Sequence, residues 1–187
     1  MTIHLSCTNL CFCFFFLCRQ VSEVAHINGW LMASMGQIAR SLSVLDRSVE
    51  MYHSSADPAS QKGITSLVCK LDSTLQCVVA TTAFGMGIQV NDVDFVIHWG
   101  PTKDVLTYWQ EGGRCARGGR QGHAELYLFP RSMNKRFVDD SMMQVCKGVT
   151  DGYCLRAAVL QHLQVSSMEK YVKMTWSHPP CCSVCEE

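Results

Sequence analysis

The sequence lacks an excess of charge of either sign, and it lacks any hydrophobic run long enough to cross a membrane as a helix. Its 187 residues include 16 Lys+Arg and 16 Asp+Glu, so overall charge gives no support for a nucleic-acid partner. The apolar run Leu10–Cys18 is far shorter than the ~20 residues that span a bilayer. No Lys or Arg precedes this run, and no small-x-small cleavage site follows it, which favours a buried strand over a signal peptide.

Two short motifs of nucleotide-hydrolysing enzymes are also missing. The sequence contains no Gly-Lys-[Ser/Thr] and no Asp-Glu-x-His. The first motif cradles phosphates with backbone N–H groups and a lysine, and carboxylates like those of the second hold Mg²⁺. These 187 residues therefore do not contain a complete ATPase of this class.

Cysteine, by contrast, is abundant, because the chain has 12 of them. A small secreted domain would use them as a disulfide framework, but here they crowd at the two ends and lie singly in the apolar runs between. That distribution fits an intracellular protein with buried thiols and one metal site. The terminal groups are Cys7, Cys11, Cys13 and Cys18 at one end and Cys181, Cys182 and Cys185 at the other.

The apolar pattern alternates between strand-like and helix-like segments. Short apolar runs predict buried strands, and apolar positions at helical spacing predict crossover helices. The alternation implies an α/β fold, a parallel sheet with helices on both faces, over residues 1–132, followed by a small helical subdomain over 133–187. The predicted strands are Phe12–Cys18, Ser48–His53, Leu75–Ala80, Val93–His98 and Ala124–Phe129, and the predicted helices are Val21–Ile38, Gln61–Leu71, Asp104–Glu111, Phe137–Lys147 and Tyr153–Gln164.

A glycine-containing segment, Ala80–Ile88, directly follows the third predicted strand. In open parallel sheets, ligands bind at the carboxyl ends of the strands. Gly85 and Gly87 allow backbone N–H groups to approach a phosphate closely, and Thr81 and Thr82 can donate hydrogen bonds to phosphate oxygens. The glycines alone would indicate only an ordinary turn.

An arginine-containing segment, Tyr108–Arg120, places Gln110, Arg114 and Arg117 among glycines after a predicted helix. Arg114 and Arg117 are three residues apart, so on one helical turn or in a tight loop they point to the same side. Two guanidinium groups held together repel each other unless an anion lies between them, and a triphosphate suits that position. A solvated basic loop is the alternative, but this segment and the glycine segment occur in the expected order behind appropriate elements.

The two segments resemble motifs of a known helicase class. Ala80–Ile88 is similar to motif V and Gln110–Arg117 to motif VI of superfamily 2 helicases. The runs Ala-Phe-Gly-Met-Gly-Ile, Val-Ile-His-Trp-Gly-Pro and Tyr-Trp-Gln-Glu-Gly-Gly-Arg resemble the RecQ branch of DNA helicases. The resemblance extends upstream to Phe16–Gln20, similar to motif IV, and to Met51–Ser55, and downstream to Tyr127–Pro130. It implies the RecA-like fold of a second motor domain.

The resemblance also implies a role for each matching residue. Arg117 would be the arginine finger on the γ-phosphate, and Arg114 and Gln110 would complete the nucleotide and interdomain contacts, which makes these three the candidate catalytic residues. Thr81, Thr82 and Gly85 would couple the nucleotide site to the DNA backbone. The implied nucleotide-binding set is Gly85, Gly87, Arg114 and Arg117, and the implied DNA-binding set is Thr81, Thr82, His53 and Ser54.

One departure from the family pattern lies beside the arginine finger. The family carries Gly-Arg-x-Gly-Arg-Asp-Gly, whereas Ala116 and Gly118 here replace the second glycine and the aspartate. If residue 116 needs a positive φ, alanine there costs about 1 kcal/mol. We therefore expect a distorted loop and reduced activity.

The family also appends a helical zinc module to this domain, and Tyr153–Leu163 resembles its helix. Cys182 and Cys185 form a Cys-x-x-Cys pair suited to tetrahedral Zn²⁺, and Cys154 is the third implied ligand. The family spacing would place the fourth near residue 179, which is proline. Cys181 is the nearest thiol and completes the predicted metal set, with His178 and Cys146 as other candidates. A reduced cysteine-rich tail without metal is the alternative.

Together, these features suggest a fragment of an ATP-dependent, RecQ-like 3′-to-5′ DNA helicase of the nucleus, acting in unwinding, recombination and repair. The implied cofactors are ATP with Mg²⁺, held mainly by a first motor domain, and Zn²⁺. The implied partners are single-stranded DNA, duplex junctions and ATP, with no membrane. Since no phosphate cradle is present, we expect the isolated chain neither to hydrolyse ATP nor to unwind DNA. The alternatives are a non-enzymatic DNA-binding module and an RNA helicase, against which the His-Trp-Gly-Pro run and cysteine tail argue.

Overall fold

The computed structural model describes residues 14–35, 48–68, 70, 73–81, 84, 93–115, 121–164 and 181–186. Each predicted strand and helix has a counterpart there, and one short C-terminal helix is additional. In the part of the chain so described, no helix combines the length and apolarity that crossing a membrane requires. The strands are β1 (Phe14–Cys18), β2 (Val49–Tyr52), β3 (Cys77–Thr81), β4 (Phe95–Trp99) and β5 (His123–Tyr127), and the helices are α1 (Val21–Met35), α2 (Pro58–Val68), α3 (Val105–Gly112), α4 (Asp140–Thr150), α5 (Leu155–Leu163) and α6 (Ser183–Glu186).

The five strands form one sheet in the order β2-β3-β1-β4-β5. β3 pairs in parallel with both β1 and β2, and its residue Cys77 lies opposite Phe14 on one side and Val49 on the other. Strands buried on both faces carry continuous apolar runs rather than an alternation. All five residues of β3 and four of the five in β1 are buried. The predicted α/β fold built on a parallel sheet is confirmed.

Helix α2 begins at Pro58, three residues before the predicted start at Gln61. The Asp57 carboxylate accepts hydrogen bonds from the backbone N–H groups of Ala59 and Ser60, both at 3.0 Å. Proline is favoured in the first turn because its missing N–H would have no partner within the helix. The apolar periodicity begins only after this cap, which is why it placed the helix start too late.

The described residues fall into two compact units that are interleaved along the chain. The first consists of the described residues up to Ile97 together with those of Arg114–Glu125, and the second consists of His98–Gly113 and the described residues from Leu126 onward. The predicted boundary after residue 132 is a different division and stays a prediction.

The first unit has an apolar core built around the sheet. Phe15 is fully buried, and its ring packs perpendicular to the ring of Phe84, with 5.1 Å between the two centroids. The ring of Tyr52 also contacts that of Phe84, with 4.8 Å between their centroids. Burying side chains of this size stabilises a fold by about 1.5–3 kcal/mol each. The core members are Phe15, Leu17, Ile64, Leu67, Leu75, Val78, Ala80, Phe84, Val93 and Val96.

The second unit has its own apolar core, contributed mainly by α3, α4 and α5. Helix α4 begins at Asp140 rather than at the predicted Phe137, because the Asp139 carboxylate accepts a hydrogen bond from the Met142 N–H at 2.9 Å and caps the helix. Phe137 itself is exposed. The core members are Val105, Tyr108, Val138, Met142, Val145, Cys146 and Val159.

Candidate functional site

Two of the predicted DNA-contact residues lie where β2 and β3 end. Tyr52 in β2 lies opposite Ala80 in β3, so His53 leaves β2 at the level of Thr81. On the other side of β3, Thr81 lies opposite Cys18, the last residue of β1. The carboxyl ends of three neighbouring strands therefore lie at one edge of the sheet. Thr81 is only 8% exposed, so β3 ends below the surface.

Several predicted site residues fall outside the described residues, and their roles stay predictions. They belong to the glycine segment and the arginine segment. Phe84 is described between two of them, and its ring is 1% exposed within the core of the first unit. The described part of the glycine segment therefore packs into the sheet core through Phe84. The predicted site residues that are not described are Thr82, Gly85, Gly87 and Arg117, and the departures at Ala116 and Gly118 are likewise not described.

The loop between β2 and α2 begins with His53 and carries one further predicted DNA-contact residue, Ser54. Ser54 is exposed, whereas His53 is half-buried and its Nδ1 has no hydrogen-bond partner in the described part of the chain. From α2, the Gln61 side-chain amide donates to backbone carbonyls of this loop. Nε2 lies 3.1 Å from the oxygen of His53, 3.3 Å from that of Ser54 and 3.0 Å from that of Ala56.

The first residues of the arginine segment form the C-terminal part of helix α3. Asp104 caps the helix by accepting a hydrogen bond from the Thr107 N–H at 2.7 Å. Tyr108 is buried, and Gln110, on the last turn, is exposed. Arg114 follows two residues after the helix ends and is half-buried. The structure therefore places two of the three candidate catalytic residues at and just after the end of one helix.

A buried pair, His98 and Glu111, joins β4 to α3 and escaped the sequence analysis. His98 Nε2 and Glu111 Oε2 are 3.0 Å apart, and the two side chains are 1% and 5% exposed. Because an ionised carboxylate can only accept, the imidazole N–H donates. Glu111 directly follows Gln110, so this bond fixes the turn that presents Gln110. Both residues stand inside the RecQ-like runs, but no local pattern indicates a contact between residues 13 positions apart.

Four cysteines come together in the second unit, and they are the four predicted as metal ligands. Their sulfur atoms all lie within 4.8 Å of one another. The Sγ atoms of Cys154 and Cys181 are 3.4 Å apart, those of Cys154 and Cys182 are 3.8 Å apart, and those of Cys182 and Cys185 are 3.5 Å apart. Four sulfurs at ~2.3 Å from a tetrahedral Zn²⁺ would be about 3.8 Å from one another. The spacing of the thiols therefore fits a zinc ion.

The thiols of this cluster have unequal pKa values. Burial opposes ionisation of Cys154, but hydrogen bonds from the Ala157 backbone N–H and from the neighbouring thiols outweigh it and lower the pKa to about 7. Burial, and then the hydrogen bond and negative charge of Cys154, raise the pKa of Cys181 to about 12. The hydrogen bond to Cys154 chiefly raises the pKa of Cys185. One thiolate is thus favoured at the expense of its neighbours, and a bound divalent cation would stabilise several at once.

The fourth position of the cluster was left open among three residues, and the structure groups Cys181 with the other three. Cys146 lies elsewhere, fully buried in the apolar core of the second unit, where burial raises its pKa to about 11. Its sulfur is therefore not among the four that the structure brings together. His178 lies outside the described residues.

Comparison with known proteins gives a family. A family model described as "Helicase conserved C-terminal domain" matches residues 16–119, which is more than half of the chain. The matched range begins within β1 and ends beyond α3. It therefore contains both the glycine segment and the paired arginines.

Curated relatives include three helicases. The chain is 28% identical over 163 residues to the mouse bifunctional 3′-5′ exonuclease/ATP-dependent helicase WRN, covering 80% of this chain and 12% of that protein. It is 33% identical over 144 residues to ATP-dependent DNA helicase Q-like 2 of Arabidopsis thaliana, covering 71% and 20%. It is 32% identical over 118 residues to ATP-dependent DNA helicase RecQ of Bacillus subtilis, covering 62% and 20%. The matches thus span a fifth or less of each relative's length.

Among solved structures, the chain resembles the C-terminal domain of the DEAD-box protein Dbp5. The TM-score is 0.53 with 16% identity, and the match covers 88% of this chain and 83% of that one. A likeness at this identity concerns the fold, and it confirms the RecA-like architecture. Together with the family match and the relatives, it shows that the chain belongs to the helicase conserved C-terminal domain family, on its RecQ branch.

Proposed function

We propose that the chain is the second motor domain of an ATP-dependent 3′-to-5′ DNA helicase that unwinds DNA during recombination and repair in the nucleus. The observation that carries this proposal is the family match over residues 16–119, which spans the glycine and arginine segments together. Relatives named as DNA helicases match at 32–33% identity, and a relative named as a putative RNA helicase matches at 33%, so the choice of DNA rests on the RecQ-like runs of the sequence.

In this proposal, the arginine segment completes a nucleotide site whose other half lies on a first motor domain. Arg117 stabilises the charge that develops on the γ-phosphate, and Arg114 and Gln110 contact the nucleotide or the opposing domain. The exposed position of Gln110 and the buried bond between His98 and Glu111 support this arrangement. The first domain would hold Mg²⁺ and the phosphates, because Gly-Lys-[Ser/Thr] and Asp-Glu-x-His are absent from these 187 residues.

The carboxyl edge of the sheet would hold the single strand through its phosphates. His53 and Ser54 lie at the end of β2, and Thr81 ends β3 beside them. Hydroxyl and backbone N–H groups bind phosphates without reading sequence. Thr82 and Gly85 would link this surface to the nucleotide, so that hydrolysis and movement along DNA are coupled.

The cysteine cluster would hold a structural Zn²⁺. Four thiols close the coordination shell and leave no position for a substrate, as is usual for structural zinc. The ion would join Cys154, at the start of α5, to the segment that contains Cys181, Cys182 and Cys185.

An ATPase assay tests whether ATP hydrolysis requires both a first motor domain and the arginine segment of this chain. We expect the isolated 187-residue chain to show no ATP hydrolysis above background, with or without single-stranded DNA, because nothing positions MgATP. Fusion to the first motor domain of Bacillus subtilis RecQ should restore DNA-stimulated hydrolysis. Arg117→Ala in that fusion should lower the rate about 10³-fold, whereas Arg131→Ala, at an exposed residue outside the segment, should leave it unchanged.

Three results would contradict this proposal. Hydrolysis at helicase rates by the isolated chain would show that a first domain is not required. Stimulation by RNA and not by DNA would overturn the choice of nucleic acid. A folded fusion without ATPase activity that still binds DNA in a salt-dependent manner would favour a non-enzymatic DNA-binding module, for which the missing phosphate cradle is the supporting observation.

A further inference from the structure

The side chain of Gln61 reaches back from α2 to the loop that follows β2. Its single –NH₂ group lies within hydrogen-bond distance of three backbone carbonyls, those of His53, Ser54 and Ala56. An amide nitrogen carries two hydrogens, so the three acceptors share them. Gln61 is half-buried, while Ser54 and Ser55 are exposed. One half-buried donor group thus contacts three carbonyls of an exposed turn, in which the His53 carbonyl also accepts a hydrogen bond from the Ala56 N–H at 3.1 Å.

The direction of these carbonyls fixes the direction of the loop's N–H groups. In a trans peptide plane, the carbonyl of one residue and the N–H of the next point in opposite directions. Because the carbonyls of His53 and Ser54 point toward Gln61, the N–H groups of Ser54 and Ser55 point away from it. The loop therefore presents two backbone N–H groups on the side opposite Gln61, and both of the serines that carry them are exposed.

Gln61 is not needed to form its own helix. The Asp57 carboxylate caps α2 through Ala59 and Ser60, and the Gln61 N–H itself bonds to the Asp57 carbonyl at 3.0 Å. The Gln61 side chain is also absent from the apolar core of the first unit. Truncating it leaves the cap and the core in place and removes only the bonds to the loop.

We propose that Gln61 is a positioning residue for single-stranded DNA at the end of β2. Its amide holds the loop so that the N–H groups of the exposed residues Ser54 and Ser55 face the phosphates. This inference rests on the proposed function, which assigns His53 and Ser54 to the DNA backbone. Donors that are already aligned bind a phosphate oxygen without the entropic cost of ordering a turn.

Two substitutions test the role of the amide on the 187-residue chain. Gln61→Ala removes it, and Gln61→Glu replaces it with a group of the same shape that can only accept hydrogen bonds. Binding is measured by fluorescence anisotropy with a labelled oligothymidylate over a range of salt concentrations. Both variants should bind about tenfold more weakly. The matched control is Gln161→Glu, the same chemical change at an exposed position of α5, which should bind within about twofold of the unchanged chain.

Three further readouts separate positioning from a general loss of structure. The slope of log affinity against log salt should not change in Gln61→Ala, because no cation has been removed. Backbone amides of residues 53–57 should exchange hydrogen faster, while those of the sheet do not. Ser54→Ala and Gln61→Ala should be non-additive, because the second acts through the loop that carries the first.

The outcomes distinguish this inference from the proposed function. If Ser54→Ala weakens binding and Gln61→Ala does not, the positioning role is wrong and the DNA-binding loop stands. If the unchanged chain binds no single-stranded DNA, the assignment of the loop to DNA is wrong and the positioning role fails with it. Equal exchange rates in the loop of Gln61→Ala and of the unchanged chain would show that the amide does not hold the loop.

Discussion

The sheet core of the first unit and the cysteine cluster of the second are stabilised by different interactions. In the sheet, β3 is buried along its whole length, and Phe15 and Val78 are fully buried. Near the cysteines, α6 has only four residues, and a single residue of α5, Val159, is fully buried. The first region has an apolar core that includes ten buried residues, whereas the second gathers four thiols whose spacing fits zinc. We therefore expect removal of a zinc ligand to affect mainly the cysteine cluster, and truncation of a core side chain to affect mainly the sheet.

Removing a cysteine of the cluster should produce the largest difference between the two regions. We expect Cys154→Ser to lower the zinc content from about one ion per chain to nearly none, because three thiolates leave the coordination shell open. Residues 181–186 should then become sensitive to proteases while the sheet stays folded. Metal analysis of the purified protein and limited proteolysis measure the two effects.

The control for this experiment is Cys115→Ser, which alters a half-buried cysteine outside the cluster. It should retain zinc and the protease resistance of the tail. A Cys154→Ser protein that keeps its full zinc content would contradict the assignment of the four ligands.

Truncating a core phenylalanine should have the converse effect. Phe15→Ala should lower the free energy of unfolding by about 3–5 kcal/mol, because the ring is fully buried and a cavity beside Phe84 would remain. Zinc content per folded molecule should not change. Phe14→Ala, at the neighbouring and only half-buried position, should cost clearly less. Equal losses of stability in urea unfolding of the two variants would show that burial is not the stabilising factor here.

A smaller, pH-dependent effect should arise at the cap of α4. The Met142 N–H chiefly lowers the pKa of the Asp139 carboxyl, so the folded state favours its charged form. The resulting stability is present above the unfolded pKa of about 4 and is lost as the pH falls through the lower folded value. Asp139→Ala should cost about 1 kcal/mol at neutral pH.

The difference between Asp139→Ala and the unchanged chain should shrink in strong acid, where the carboxyl is protonated in both states. Thermal unfolding at a series of pH values measures it. Asp139→Asn retains a capping oxygen without the charge and should show little of the pH dependence. A difference that is constant from neutral pH to acid would argue against the carboxylate as the cap.

The smallest expected change is a gain in stability. Gly63 lies in the interior of α2, and a methyl group added there would meet nothing within 4 Å. Gly63→Ala should therefore raise the free energy of unfolding by about 0.5–1 kcal/mol through the backbone entropy of the unfolded chain. Urea unfolding measures this change. A loss of stability would show that the position is more restricted than its surroundings indicate.

The sequence predicted the sheet well because β1 and β3 are continuous apolar runs between polar joins, and such runs are typical of strands buried on both faces of a parallel sheet. It placed the start of α2 wrongly because the Asp57 cap precedes the apolar periodicity. The sequence did not predict the strand order β2-β3-β1-β4-β5, because the pairing of strands is decided by contacts between distant segments. The family resemblance pointed correctly to a helicase motor domain.

At the candidate sites, the limits of sequence analysis have similar causes. Cys182 and Cys185 stand out by their spacing, but the choice of Cys181 as their companion depends on how α5 and α6 approach each other. The bond between His98 and Glu111 joins a strand to a helix and has no local signature. The role of Arg117 stays a prediction, which the fusion experiment tests directly.

The strand order has a consequence for synthesis on the ribosome. β1 lies in the middle of the sheet, and its neighbours β3 and β4 are made later. The first possible partner, β3, begins at Cys77, about 60 residues after β1 ends. Translation proceeds at ~5–20 residues per second, so about 3–12 seconds pass between the synthesis of Phe14–Cys18 and that of its first partner strand. We therefore expect the three consecutive phenylalanines of β1 to be open to chaperones or to other nascent chains during that interval, so that slower translation between β1 and β3 lowers the yield of folded domain.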